Sequence, residues 1–534
     1  MPKSYSFRLL KYLVFPLGFF LLSCSTSHSE VQGAVFRYNE FRNITSLDPA
    51  FARNPQNIWP INQLFNGLVQ LDYQLGIKAE IAKSWEIDKS GVHYTFYLRN
   101  DVFFHPSVHF GDKQSRPVTA HDFVFSFDRL KDPQLASPGS WVLNQVEHYE
   151  AVNDSTLNIT LRKPFPAFLG LLSMRYCAVV PKEVVEALGD GFRNQPIGTG
   201  PFYFKRWEEN VKLVLRKNTA YFEKDNLGNQ LPYLEAIAIQ FIPDIQSEFM
   251  LFLQGKLDFI NSLDSSYKDE LLTPSGALQP KYKNRIQMQK GPYLNTEYLG
   301  FYLDNDNPAL QSVAIREAIN IGFDRNKMVA YLRNNIGYPA KKGFIPKGLM
   351  GTSDRAFLHE PNRARQLVQT YIKEHSKMPE LNIATDANYL DICEFIQGEL
   401  QKIGIKINID VMPTANLRQA KSSGKLEMFR ASWIADYPDA ENYLSLFYSR
   451  NHSPEGPNYT HFSDRLFDRW YNQALETVDL EHRTKIYQSM DSLALTQFPI
   501  VPLYYDQVIR FLQKDIKGME INPINTLVLK NVRK

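Results

Sequence analysis

The chain has 534 residues, 44% of them apolar and 22% charged, a globular composition that excludes a wholly disordered or fibrous protein. Lys and Arg number 60 against 57 Asp and Glu, a formal charge of +3, too near neutral for nucleic acid as the main partner. The length exceeds one comfortable core, so two or three domains are expected, and 28 Tyr beside 36 Phe can line a ligand interface as well as fill cores.

In chain order, Lys3, Arg8 and Lys11 precede an apolar run over 12–22 broken only by Pro16 and Gly18. That is the length of a signal-peptide core and too short for a comfortable span. The run ends in Leu21-Leu22-Ser23-Cys24 and then Ser25-Thr26-Ser27-His28-Ser29. This resembles a bacterial lipobox, with Leu22 a less usual residue ahead of the small one. It implies a signal peptide over 1–23, a lipidated Cys24 and a polar tether over 24–33. Each acyl CH₂ buried in a membrane is worth roughly 0.8 kcal/mol. No later apolar run approaches spanning length. Strict alternation predicts strands at Val92, Tyr94, Phe96, Leu98; at Leu157, Ile159, Leu161; at Ile237, Ile239, Phe241; and at Ile405, Ile407, Ile409, Val411. Helical spacing groups Ile315, Ala318, Ile319, Gly322 and Phe323, with Gly337 as the stop. It also groups Leu390, Cys393, Gln397, Leu400 and Ile403, turning at Gly404 into the fourth strand, a unit that suits a parallel or mixed sheet. A third helix carries Leu466, Phe467, Trp470, Tyr471, Ala474 and Leu475 on one face, which makes Trp470 and Tyr471 packing residues. Cys177 and Cys393 read as unpaired structural thiols. The pattern is layered α/β with several lobes.

Enzymatic constellations are missing: no G-x-x-x-x-G-K-[ST], H-E-x-x-H, G-x-S-x-G or C-x-x-C occurs. Ser265-Ser266-Tyr267-Lys268 fits S-x-x-K, but no S-D-N or K-T-G follows. His105 and His109 are separated by Pro106 in a strand-flanked segment, which disfavours a helical metal pair. No enzyme activity, metal or cofactor is expected.

Leu47-Asp48-Pro49, Leu64-Phe65-Asn66-Gly67-Leu68-Val69, Ala82-Lys83-Ser84-Trp85, the Tyr94–Arg99 and Val118–Ser126 blocks, Gly198-Thr199-Gly200-Pro201-Phe202 with Asn218 and Tyr221, Gly255-Lys256-Leu257-Asp258, Ile315-Arg316-Glu317-Ala318 with Asp324-Arg325, and Trp433-Ile434-Ala435-Asp436-Tyr437-Pro438-Asp439 occur in register. Together they resemble the extracytoplasmic solute-binding proteins of ABC importers, family 5, the oligopeptide/dipeptide-binding group. Phe104-His105-Pro106-Ser107 departs from the family's F-H-[DN]-G, and the segment before Val118 is longer than usual. Some relatives carry a disulfide near the ligand; the aligned positions here are Asn295 and Ile434, so that bridge is absent. The resemblance implies a type II periplasmic-binding-protein-like α/β fold of the three-domain, cluster C kind. Lobe I would comprise 34–72, 196–290 and 508–534, an extra lobe II 73–195, and lobe III 291–507. The implied protein is a monomer that binds short peptides between two closing lobes, is held to a membrane through Cys24 and delivers its ligand to an ABC permease. Nickel or metal-chelate and saccharide receptors share the fold, and a surface sensor or adhesin that has left transport is a further alternative.

A receptor for peptides of varied sequence must grip the amine, the carboxylate and the backbone, and leave side chains in roomy pockets. By the resemblance, Asp436 binds the amine; as a residue before Tyr437-Pro438 it also suits a plain turn. Arg430 faces the ligand carboxylate, or else forms a strand-end ion pair. Lys421 aligns with a second cationic position. Tyr389 stands where a relative has a His at the carboxylate end. Asn295 and Tyr298 fall on a hinge-side strand able to pair with an extended ligand. Trp433 either walls the pocket or packs in the core.

Overall fold

The computed structural model describes residues 34–262, 264 and 266–534. The signal peptide, Cys24 and the tether, with Ser265 of the S-x-x-K match, lie outside the described residues. Among these, no helix is long and apolar enough to cross a membrane.

One large mixed sheet organises the chain. Its order runs through the strands starting at 406, 380, 428, 286, 500, 259, 35, 236, 212 and 202, with the short Tyr338–Pro339 pairing off the path. The strand Ala236–Gln240 reads as a near-continuous apolar run because both its faces are covered. A four-stranded sheet, ordered Ala82–Ile87, His93–Leu98, Thr156–Leu161, Val146–Asn153, is antiparallel, and its two central strands alternate strictly, with one face on the core. The expected strands therefore stand at His93–Leu98, Thr156–Leu161, Ala236–Gln240 and Lys406–Val411.

The helix Leu390–Gln401 buries Cys393, and Gly404, at φ +91, makes the left-handed turn into Lys406–Val411. That strand pairs in parallel with Glu380–Thr385. The helix at 315 differs from expectation. It spans Val313–Ile321 and stops at Gly322, and the Asp324 side chain then caps a new helix, Arg325–Arg333. The second helix ends on left-handed Asn334, so Gly337 is not the stop. At Gly322 a Cβ would lie 2.6 Å from the Ala318 carbonyl oxygen and 2.7 Å from Ile403, so close packing fixes that break. His105 is a satisfied core residue: its ring bonds Gly200 O at 2.9 Å and accepts from Gly198 N, and burial lowers its pKa to about 4.

Two long strands, Ile286–Phe301 and Ile500–Gln513, pair antiparallel down the middle of the large sheet. Register shifts fall between Pro292 and Thr296 and between Glu297 and Tyr298. Such irregularities kink a ladder locally and cluster beside functional sites. Gly291 and Val508, where the expected lobe boundaries cut both strands, are partners on one rung. Apolar clusters lie to either side: residues around Leu299, Ile319 and Ile383 on one, and around Phe252, Ile260 and Phe511 on the other. Asn295 and Ile434 are opposite one another in register, as their expected alignment to a bridged pair requires.

Candidate ligand-binding site

Parallel strands leave a crevice beyond their carboxyl ends, and two such sets face one cavity. On one side Val35–Asn39 runs parallel to Ala236–Gln240 and to Phe259–Asn261, bringing Glu40 and Asn261 to the rim. On the other, Glu380–Thr385 runs parallel to Met428–Ile434, bringing Asp386 and Asp436 there. The cavity between them measures about 2370 Å³, beyond the roughly 300–1,000 Å³ of common small-molecule pockets. Trp59, Trp141, Tyr176, Tyr293 and Trp433 give it aromatic walls.

Five of the seven expected site residues line this cavity: Asp436, Trp433, Arg430, Lys421 and Tyr389. Asp436 presents its side chain to the cavity, yet protein surrounds it closely enough that desolvation raises its carboxyl above the ordinary range. Among the described residues its one side-chain partner is the Asn442 amide, which donates to Oδ2 at 3.4 Å, and no cation pairs with it. Asn442 also accepts from the Trp433 indole at 2.9 Å and from the Asp436 backbone, so one amide orients both residues. Trp433 thus serves as pocket wall with a satisfied N–H.

Arg430 is buried and donates to Glu297, while the Tyr389 ring stacks on its guanidinium. Burial alone would lower the Arg430 pKa; the Glu297 charge, together with Tyr389 and Tyr504, outweighs it and holds the guanidinium protonated. Arg333 is matched in the same way by Asp506, at 2.7 Å. Arg430 therefore takes the ion-pair alternative, its charge already balanced. Lys421 differs. It lies on the helix Thr414–Ser422 with its ammonium 4.3 Å from the Tyr459 ring centroid and no described carboxylate in reach. Burial, then Arg430 and Arg418, depress its pKa to about 8. Arg418, three residues earlier on the same helical face, and Arg53 also line the cavity without ion pairs. Arg418 and Arg53 went unnoticed in the sequence; the i, i+3 spacing of Arg418 and Lys421 was the available signal.

Asn295 and Tyr298 do not line the cavity. Tyr298 is 2% exposed and packs edge-on against Phe344 in the core. Asn295 is buried and donates to Glu297 at 3.0 Å. Nor can this stretch pair with a ligand, because Thr296–Phe301 already sits between two neighbouring strands. Three residues apart on a strand means opposite faces, so Asn295 and Tyr298 could never share a ligand wall. Tyr293, on the Asn295 face, is the residue of this strand that reaches the cavity.

Residues 76–455, well over half of the chain, match the model of the bacterial extracellular solute-binding proteins, family 5 Middle. The chain belongs to this family. Family 5 proteins are extracytoplasmic solute receptors of ABC importers. A relative, the probable di/tripeptide-binding protein 5 of Pseudomonas aeruginosa (strain UCBPP-PA14), is 26% identical over 490 residues, covering 86% of this chain and 88% of that protein. The Helicobacter pylori ABC transporter-associated periplasmic binding protein DppA, solved in complex with the peptide STSA, superposes with a TM-score of 0.79 at 22% identity, covering 94% of this chain and 98% of that one. Campylobacter jejuni NikZ, solved in complex with Ni(L-His), gives 0.74 at 23% identity, with 92% and 96% covered. At these identities the two structures establish the type II binding-protein fold, which ligands of different chemistry share.

Proposed function

We propose that this chain is a lipid-anchored receptor that closes over short peptides and presents them to the permease of an ABC importer. The supporting observation is one cavity holding an unpaired carboxylate, Asp436, and unpaired cations, Lys421 and Arg418. A zwitterion needs both signs; an uncharged saccharide needs neither. In this reading Asp436 takes the α-amine, Lys421 and Arg418 take the carboxylate, and Trp433, Tyr389 and Tyr293 wall the side-chain pockets. Arg430 keeps its charge on Glu297 and contributes field rather than a free anchor. Lobe I (34–72, 196–290, 508–534) and lobe III (291–507) close about the Gly291–Val508 rung, and the ligand shifts that equilibrium by binding the closed form more tightly. Lobe II (73–195) flanks lobe I.

The test is mass spectrometry of small molecules released from the purified, denatured protein. Short peptides of varied sequence are expected; a single metal chelate or sugar overturns the reading. Detergent phase partitioning of the full chain and its Cys24→Ser variant tests the anchor, which requires that only the wild type enter the detergent phase.

A further inference from the structure

The cavity wall opposite Asp436 carries a second charged feature. Glu40 directly follows the strand Val35–Asn39, Asn261 ends Phe259–Asn261, and Glu248 lies in the first turn of the helix Ile245–Leu253. All three line the cavity. Glu40 is 8% exposed and its Oε1 has no hydrogen-bond partner; the buried Asn261 Oδ1 has none either. Burial first, and then the Glu248 charge, push the Glu40 carboxyl up to about 8 against the opposing effect of Arg42. Burial and Asp264 push Glu248 up to about 7, with the Asn39 amide opposing. Of the nearby cations, Lys268 is held by Asp269 at 2.8 Å and Asn334 at 2.9 Å, and exposed Arg42 lies over the Phe41 ring, its charge only partly offsetting the burial of Glu40. Asp264 accepts from Ser266 and brings no donor.

The wall thus presents two buried oxygens, Glu40 Oε1 and Asn261 Oδ1, that lack a hydrogen-bond donor. An acceptor sealed from water without a donor costs free energy, which a ligand donor recovers. A hard metal ion would want six or more oxygens, and no described group of three carboxylate, His or Cys side chains is arranged to hold a metal. We propose that Glu40, Glu248 and Asn261 form a subsite for a cationic ligand group, an ammonium or guanidinium side chain of the bound molecule. The inference rests on the peptide reading for the identity of that side chain: lysine- or arginine-bearing peptides, their amine on Asp436 and their basic side chain across the cavity.

Calorimetry decides it with trialanine, the three tripeptides bearing one lysine, and their norleucine counterparts. At one position at least, lysine should bind about 10- to 100-fold more tightly than norleucine, the range of a charge-assisted hydrogen bond. That gap should collapse in E40Q/E248Q, with thermal unfolding as the folding control. E248Q alone, at the half-buried position, is read the same way if the double variant does not fold. No gap at any position, or a gap that survives the substitutions, overturns the subsite. If no tripeptide binds the wild type, the peptide reading has failed, and agmatine decides the subsite separately. Protection of D436N by agmatine that is lost in D436N/E40Q/E248Q supports it; no protection, or equal protection, overturns it.

Discussion

Replacing Asp436 by Asn should act with opposite sign on binding and on stability. Asp436 is a carboxylate held in a partly desolvated position with one weak amide partner and no cation. In the complex, a ligand ammonium would complete a buried pair. Removing one partner of such a pair costs ~3–5 kcal/mol, because the other charge is left stranded. That is roughly two to four decades in Kd. In the ligand-free protein the relation reverses. Burial raises the Asp436 pKa, so the folded state binds its proton more tightly than the unfolded state. Its charged form is a liability at neutral pH that fades as pH falls toward the ordinary carboxylate range. Asn removes that liability and keeps the shape, so the ligand-free D436N should unfold at a slightly higher temperature at pH 7. Calorimetry against a free-amine peptide and differential scanning of the empty protein are the assays. Unchanged affinity refutes the amine site, and a lower Tm of the empty variant refutes the argument that the carboxylate is uncompensated.

Three further outcomes follow from the same inventory of charges. N-acetylation of a bound peptide should weaken it about as much as D436N does, and in D436N acetylation should cost little more, since both changes remove one interaction; additive losses in a calorimetric cycle would separate them. Lys421→Met should weaken carboxylate-bearing ligands, and wild-type affinity should fall as pH rises through about 8, where the empty-site ammonium deprotonates. The same titration on the variant should keep only the slope of the ligand amine, whose ordinary pKa is about 7.7–8.0. Cys177 and Cys393 are buried, with burial pushing their thiols up to about 12 and about 11; a thiol reagent should label neither until the protein unfolds, and rapid native labelling would show that they are open.

Where one local pattern determined the outcome, the sequence was sufficient. The alternation in 92–98 and 157–161 and the one-sided stripe of Arg465–Glu476 survive because each element buries a single face. Gly404 marked the helix-to-strand turn because only its left-handed backbone makes that corner cheaply. The family blocks placed Asp436, Trp433, Lys421, Arg430 and Tyr389 near one ligand, and the cavity gathers all five. What escaped is long-range. Whether Arg430 is free or matched depends on Glu297, 133 residues away in sequence and brought close by strand register. Glu40 and Glu248 sit on different elements that only the crossover sheet joins. Parity turns Tyr298 away from the cavity, on the face it shares with Leu294, which is fully buried in the same core.

The contrast between matched and unmatched charge can itself be tested at Glu297. Glu297 is 1% exposed, accepts from Asn295, and pairs with an Arg430 whose Nε has no partner. Burial keeps the Glu297 pKa raised even though Arg430 pulls it down, so the pair is held by the surrounding fold at some cost. Breaking such a pair from one side typically destabilises by ~3–5 kcal/mol, whereas replacing both charges by apolar groups of similar size is often neutral or better. Glu297→Gln should therefore unfold at markedly lower temperature or denaturant, and the double variant E297Q/R430M should recover much of the loss. Denaturant midpoints at constant m measure both. If E297Q is as stable as the wild type, Arg430 is not dependent on Glu297, and the guanidinium must be counted among the charges left free for the ligand. If E297Q is unstable and R430M rescues it, the free cation that a ligand meets is on the Arg418–Lys421 helix. In that case carboxylate affinity should follow substitutions there and not at 430.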